Sequence, residues 1–389
     1  MKKEKLGVNM ENNSVVVSKC ETYEEEKIKS SLKDIFQKLG NIENYLDPGD
    51  TVVIKPNMLL GKGPDQVVTT HPQLIKQVID KLKKIDCKIV IGDSPGGPFN
   101  ENRLQRIYKK TGFFELAEIE KVSLNYNTSS TKISFKEGFL VKTFEVCDFI
   151  LNADLIINMS KLKTHSFMKY TGSVKNLFGT ISGMKKAEYH LRMPEADNFA
   201  LMLVDLARYI SPQINIMDAV VGMEGAGPSA GKKRRFGYIM GSPSCFSLDI
   251  AGAHLFDIKP ENIPTINQAK QKGLIGSFDE LILYRDKLIP AKNTKVPEIN
   301  EADTRNVNNL PSFLANIVNK LLKPRPVFNK NQCVKCGDCA INCPAEAIEL
   351  DDYPEVDLNA CIRCYCCQEL CAYEAVDIKR SILGKLFFK

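Results

Sequence analysis

The chain has 389 residues, 43% of them hydrophobic and 26% charged, with no tryptophan and a formal net charge of +6. This length suits two or three domains with cores of their own, and the mixed composition excludes a disordered or collagen-like chain. No run approaches the ~20 apolar residues that span a bilayer. The early lysines precede no secretory-type apolar stretch, and a pI near 8.5 without a recognised motif argues against a nucleic-acid partner.

Along the first 290 residues, runs of strand length alternate with helical patterns. The strand candidates are residues 14–17, 51–57, 88–93, 154–159, 214–220 and 236–241; the helix candidates are Tyr23 to Leu39, Pro72 to Lys84, Asn102 to Thr111, Asn198 to Ile210 and Cys245 to Phe256. The alternation predicts a doubly wound α/β domain with a mainly parallel sheet over residues 1–290, with an inserted subdomain around 120–150. Several strands are continuous apolar runs, as burial on both faces requires. Residues 291–326 read as a linker with a short helix from about Ser312 to Leu322, stopped by the prolines that follow. Residues 327–380 read as a small α+β domain, and 381–389 as a tail that packs back on the body.

Eight of the 13 cysteines fall in two identical frames, Cys333, Cys336, Cys339, Cys343 and Cys361, Cys364, Cys367, Cys371, each C-x2-C-x2-C-x3-C. That spacing is the ligand set of two [4Fe-4S] clusters, because three thiolates on one tight loop cap three corners of a cubane. The two frames align without a gap at an offset of 28 residues, so this segment is an internal repeat. Cys366 reads as a spare small apolar residue. Structural zinc is the alternative, but such sites pair two short knuckles or include histidine, and no histidine follows His254. Exposed cubanes need a reducing compartment, so the cytoplasm of an anaerobe is expected. Cys20, Cys87, Cys147 and Cys245 lie among apolar residues, as inert buried thiols do. Residues 327–380 carry 5 basic and 10 acidic residues, a net −5, against +9 for residues 1–326. An acidic module beside a basic body favours docking of one on the other, or a basic pocket for an anion.

Ligands in open α/β sheets bind beyond the carboxyl ends of the strands. There the chain has Lys55 and Asn57, then Asp93, Ser94, Gly96 and Gly97, then a basic stretch from Lys161 to His190, then Asp218. The glycines after Asp93 allow backbone N–H groups to approach an anion. Within the basic stretch Lys163, His165, Thr171, Lys175, Asn176 and His190 are the binding and catalytic candidates; Lys175 and Asn176 open a helix whose N-terminus would hold a phosphate or carboxylate. His71 and His254 read as structural. Residues 226–233 imitate a phosphate loop but have Ala226 in place of the first glycine and Lys233 in place of Ser/Thr, so that motif is rejected.

The residues VVIKPN, IGDSPGG, SKLKTHSFMKYTGSVKNLFGT and the stretch from Met217 to Phe256 resemble the domain-of-unknown-function 362 family, most specifically in the T-G-x-x-K-N-x-x-G block from Thr171 to Gly179. Members of that family often carry a C-terminal bacterial-type ferredoxin domain with two [4Fe-4S] clusters. The second frame has Ala372 where the ferredoxin pattern has a proline. The resemblance implies a crossed ligand set, with one cluster on Cys333, Cys336, Cys339 and Cys371 and the other on Cys361, Cys364, Cys367 and Cys343. The frame from His165 to Lys175 is also similar to a segment of the lactate racemase family in which the lysine holds a nickel-pincer cofactor. Lys169 and Ser173 replace glycines of that segment, so a shared fold is the expectation and not a shared cofactor.

The expected function is a redox enzyme. The ferredoxin module passes electrons to an anionic small molecule held by Lys175 and Lys163, and His165 supplies a proton. A carrier or scaffold that only exchanges electrons with a donor or acceptor protein, and a cofactor-maturation factor, are the alternatives.

Overall fold

The computed structural model describes residues 10–297 and 324–379; the expected linker helix from Ser312 to Leu322 and the tail 381–389 lie outside them. The strands in chain order are β1 (Ser14–Lys19), β2 (Thr51–Pro56), β3 (Lys88–Ile91), β4 (Ser123–Leu124), β5 (Ser130–Ser134), β6 (Thr143–Cys147), β7 (Leu155–His165), β8 (Lys169–Thr171), β9 (Ile214–Glu224), β10 (Lys232–Ser242), β11 (Ile282–Arg285), β12 (Arg325–Phe328), β13 (Ile348–Leu350), β14 (Pro354–Val356) and β15 (Val376–Lys379). Nine of them form one sheet in the order β11-β1-β10-β9-β7-β2-β3-β4, with β8 on β7. The pairs β1/β11, β2/β3, β2/β7, β3/β4 and β7/β9 are parallel, while β10 runs antiparallel to both neighbours.

Alternate strand residues point to opposite faces, and both faces are covered. Val16, Val52, Ile54 and Ile157 join the core under the helices Glu25–Lys38, Pro72–Leu82 and Glu101–Thr111. Val53 and Ile156 face the helix Ala196–Ile210, and Val15, Val17 and Met240 face the helix Cys245–Leu255. The helix Glu25–Lys38 buries Ile28, Leu32, Ile35 and Phe36 at helical spacing. His71 is indeed structural: its ring caps the helix Pro72–Leu82 by accepting from the Gln73 N–H. Residues 130–147 form a separate hairpin of β5 and β6.

The structure departs from the sequence reading most in β7. It runs on through Ser160 to His165, and the whole strand is buried, because β8 and β9 flank it on both edges. Much of the basic stretch is therefore strand, with Lys161, Lys163 and His165 at alternate positions, and not loop.

The module of residues 324–379 carries its repeat into the backbone. The pairs β12/β15 and β13/β14 are antiparallel. Lys335, Gly337 and Glu346 have positive φ, as do Arg363, Tyr365 and Glu374 28 residues later. These left-handed residues turn each cysteine loop tightly enough to aim several thiols inward. The module is docked on the α/β domain. Lys62, 4% exposed, donates to Ser229 O at 2.9 Å and to Glu374 Oε1 at 2.6 Å. Gln368 Nε2 donates to Ala226 O, and Gln368 O accepts from Ser229 Oγ. A Cβ on Gly96 would lie 2.3 Å from Leu370 Cδ2, so a larger residue here would displace the Leu370 side chain.

Candidate functional site: a basic cavity walled by the cysteine module

The carboxyl ends of β2, β3 and β7 and the segment after β8 surround a partly open cavity. Of the residues singled out from the sequence, Asn57, Asp93, Ser94, Gly96, Gly97, Lys163, His165, Thr171, Lys175, Asn176 and His190 line it. Two candidates do not. Lys55 is fully buried behind the wall, its ammonium bonded to Asp93 Oδ1 at 2.8 Å and to Pro56 O at 3.1 Å. Asp218 belongs to a different buried cluster, where it accepts from Lys161 Nζ and Tyr23 OH, each at 2.8 Å. Removing one partner of such a pair strands the other charge, at a cost of about 3–5 kcal/mol. Asp218→Ala is therefore expected to lower the thermal midpoint sharply while leaving anion affinity in the surviving folded protein unchanged, as paired melting and calorimetric titrations would show.

The expected helix N-terminus is also not free for a ligand. The helix Ser173–Asn176 is a single turn, and its first N–H groups are taken by Asp249, whose carboxylate accepts from Ser173 N and, at 3.0 Å, Val174 N. Burial pushes the Asp249 carboxyl up to about 7, against those hydrogen bonds. Asn176 is structural as well as lining: it bridges Asn57 at 3.0 Å and Asn158 at 2.8 Å. Anion binding here falls to ammonium groups.

Lys163 donates to Asn57 Oδ1 at 2.7 Å and Val68 O at 2.8 Å, and burial lowers it to about 7 although Glu369 opposes the shift. Lys186 donates to Ser94 Oγ at 2.8 Å and is lowered to about 8, also chiefly by burial. A bound anion favours the protonated lysines. Anion affinity is thus expected to be full below pH 7 and to fall as pH rises through about 7 to 8, which titrations across that range would show.

His165 differs from the expected imidazolium. Its Nδ1 accepts from Phe167 N at 3.0 Å and Met168 N at 3.3 Å, so the ring proton sits on Nε2. Burial holds the ring neutral even beside Glu369. His190 stacks on Phe199 at 4.2 Å, and burial lowers it to about 3.

Sequence reasoning missed the residues that the module contributes: Asn342, Cys366, Glu369 and Leu370. Glu369 Oε2 lies 3.5 Å from His165 Nε2, and Oε1 lies 3.9 Å from Lys175 Nζ. Burial disfavours its charge, but Lys175 and His165 hold the carboxyl well below the usual carboxylate range. The signal was in the repeat. Glu369 stands opposite Ile341 in the first half, which is 62% exposed, so the halves differ where one of them is covered.

The eight frame cysteines line two further cavities, each with four of them: Cys333, Cys336, Cys339 and Cys371 in one, Cys343, Cys361, Cys364 and Cys367 in the other. This is the crossed grouping. Each group of four thiols surrounds a volume, as the ligands of a cubane would. Cys343 Sγ accepts from Ala347 N and Cys371 Sγ from Ala375 N, both at 3.3 Å. Cys366 lines the second thiol cavity and the basic cavity alike.

A thiol-lined module closing a basic α/β cavity defines an iron–sulfur protein. The chain belongs to the family described as domain of unknown function DUF362, whose model matches residues 52–254, and a 4Fe-4S binding domain matches residues 325–348. It is 31% identical over 295 residues to the thylakoid-associated protein sll1697 of Synechocystis, across 74% of this chain and 88% of that protein. The lactate racemase apoprotein of Thermoanaerobacterium thermosaccharolyticum aligns with a TM-score of 0.41 at 16% identity, over 64% of this chain and 60% of that one. No described helix is long and apolar enough to cross a membrane.

Proposed function

We propose that the chain is a reductase in which two [4Fe-4S] clusters in the module deliver electrons to an anionic small molecule bound in the basic cavity, in the cytoplasm of an anaerobe. The supporting observation is Cys366, which stands between the thiol cavity and the basic one. Each cluster, when bound, exchanges one electron at a time. The protein holds that source against the substrate in one chain, so no second docking step is needed. Lys175 and Lys163 bind the anion, and His165 donates a hydrogen bond from Nε2. The test is anaerobic purification with iron and sulfide analysis, electron paramagnetic resonance and mass spectrometry of released small molecules. About eight iron atoms, coupled cubane signals and a co-purifying anion are expected; bound zinc in place of iron would overturn the reading.

The two thiol sets differ in shelter. Cys336 is exposed, whereas Cys364 and Cys367 are each only 8% exposed. Limited exposure to an iron chelator is therefore expected to remove iron from the Cys333 set first, leaving an intermediate with about half the iron. Loss of all iron in a single phase would contradict this.

A further inference from the structure

We propose that Arg363 is a positioning residue for electron flow: its buried guanidinium raises the reduction potential of the cluster on Cys343, Cys361, Cys364 and Cys367, and so draws the electron to the side of the module that meets the basic cavity. This deepens the reductase proposed above and rests on it.

Arg363 stands between Cys361 and Cys364 of the sheltered set, and its chain neighbours Ile362 and Cys364 line that thiol cavity. The residue is 8% exposed. Its Nε and Nη1 are buried and have no hydrogen-bond partner among the described residues, and Nη2 donates to Leu358 O at 3.4 Å. A guanidinium stays charged whatever its surroundings, and a buried charge is costly unless an opposite charge answers it. The anion that fits is the thiolate-ligated cubane of the flanking cysteines, which carries a net negative charge. Arg363 does not itself line the thiol cavity, so it acts there as a fixed charge and not as a ligand or a donor to sulfur.

The repeat supplies an internal control. Lys335 precedes Cys336 as Arg363 precedes Cys364, with a φ of 58° against 60°. Lys335 is exposed, and its ammonium lies 4.5 Å from the centre of the Tyr353 ring. The same backbone thus sets one cation in water, where its field is screened, and the other in the interior, where its field is felt more strongly. Reduction by an external one-electron donor adds one negative charge to a cluster. Shelter from solvent alone makes that addition harder. Without a buried cation the sheltered cluster would be the weaker acceptor, and the electron would rest on the exposed set, away from the substrate. The Arg363 charge offsets that penalty.

The experiment is a potentiometric titration of the full-length, iron-loaded chain followed by electron paramagnetic resonance, in the unmodified protein and in Arg363→Met, Arg363→Lys and Lys335→Met. In Arg363→Met one of the two cluster potentials is expected to fall by ~59 mV or more, a ~10-fold loss in a one-electron reduction equilibrium, with iron content unchanged. Arg363→Lys is expected to restore most of that shift, and Lys335→Met to leave both potentials near their original values. Loss of one cluster in Arg363→Met but not in Arg363→Lys would also support a required counter-charge, whereas loss in both would make Arg363 a structural residue and overturn the proposal. Unchanged potentials in Arg363→Met at full iron content, or an equal fall in Lys335→Met, would overturn it and leave the reductase standing. Absence of two cubane signals from the unmodified chain would remove the reductase reading and this proposal together.

Discussion

Lys175→Met is expected to weaken oxyanion binding by ~30- to ~5,000-fold, the equivalent of about 2–5 kcal/mol for removing one member of a desolvated charge constellation, with iron content and cluster spectra unchanged. Lys163 and Lys186 already donate to Asn57, Val68, Ser94 and Pro95. The nearest carboxylate oxygen to Lys175, Glu369 Oε1, lies at 3.9 Å, beyond hydrogen-bond reach, and the ammonium otherwise faces the rings of Phe178 at 4.9 Å and Phe199 at 5.9 Å. It is therefore the cation most free to take a ligand oxygen. Its loss also leaves Glu369 facing the anion with no opposing charge. Methionine keeps the packing of the stem against the two rings, so the measured change reports charge and not a cavity. An unchanged dissociation constant in that variant would remove Lys175 from the site.

Much of this architecture was legible in the residues because it depends on local pattern. The apolar runs from Ser14, Thr51, Lys88 and Ile214 became β1, β2, β3 and β9, and the thiols fall in the crossed grouping that the ferredoxin resemblance implied. What stayed hidden depends on distant partners. Lys161 and Lys163 sit two residues apart on one strand, yet one pairs with Asp218 and the other lines the cavity, a difference set by β9. Asp249, 76 residues from Ser173, closes the helix start that looked ready for an anion. Glu369 lies between two of the frame cysteines, and nothing short of the docked module shows that it enters the α/β cavity. The charge contrast between the halves signalled that docking, and the Lys62–Glu374 ion pair is one of its contacts.

Gly179→Ala is expected to be strongly destabilising. Its backbone has no left-handed φ, so alanine is conformationally acceptable there and the effect is steric. The added Cβ would stand 2.0 Å from Asp93 Oδ1 and 2.8 Å from Lys55 Nζ, inside the buried ion pair. Neither side can retreat easily. Gly179 O accepts from Ser94 N at 2.9 Å, which ties this turn to the loop carrying Asp93, and Asp93 Oδ2 accepts from Met58 N at 2.9 Å. Separating Lys55 from Asp93 leaves two buried charges short of partners, a loss of about 3–5 kcal/mol from a total that is ordinarily about 5–15 kcal/mol. Asp93 also lines the cavity, so whatever protein folds should bind anions poorly. Gly225→Ala is the control: its φ of 81° strains alanine, but nothing lies within 4 Å of the new methyl, and a loss of about 1–2 kcal/mol is expected. Thermal melts of the two variants separate the mechanisms. A Gly179→Ala midpoint no lower than that of Gly225→Ala would mean that the pair yields without cost, and that the last glycine of the T-G-x-x-K-N-x-x-G block is not there to admit it.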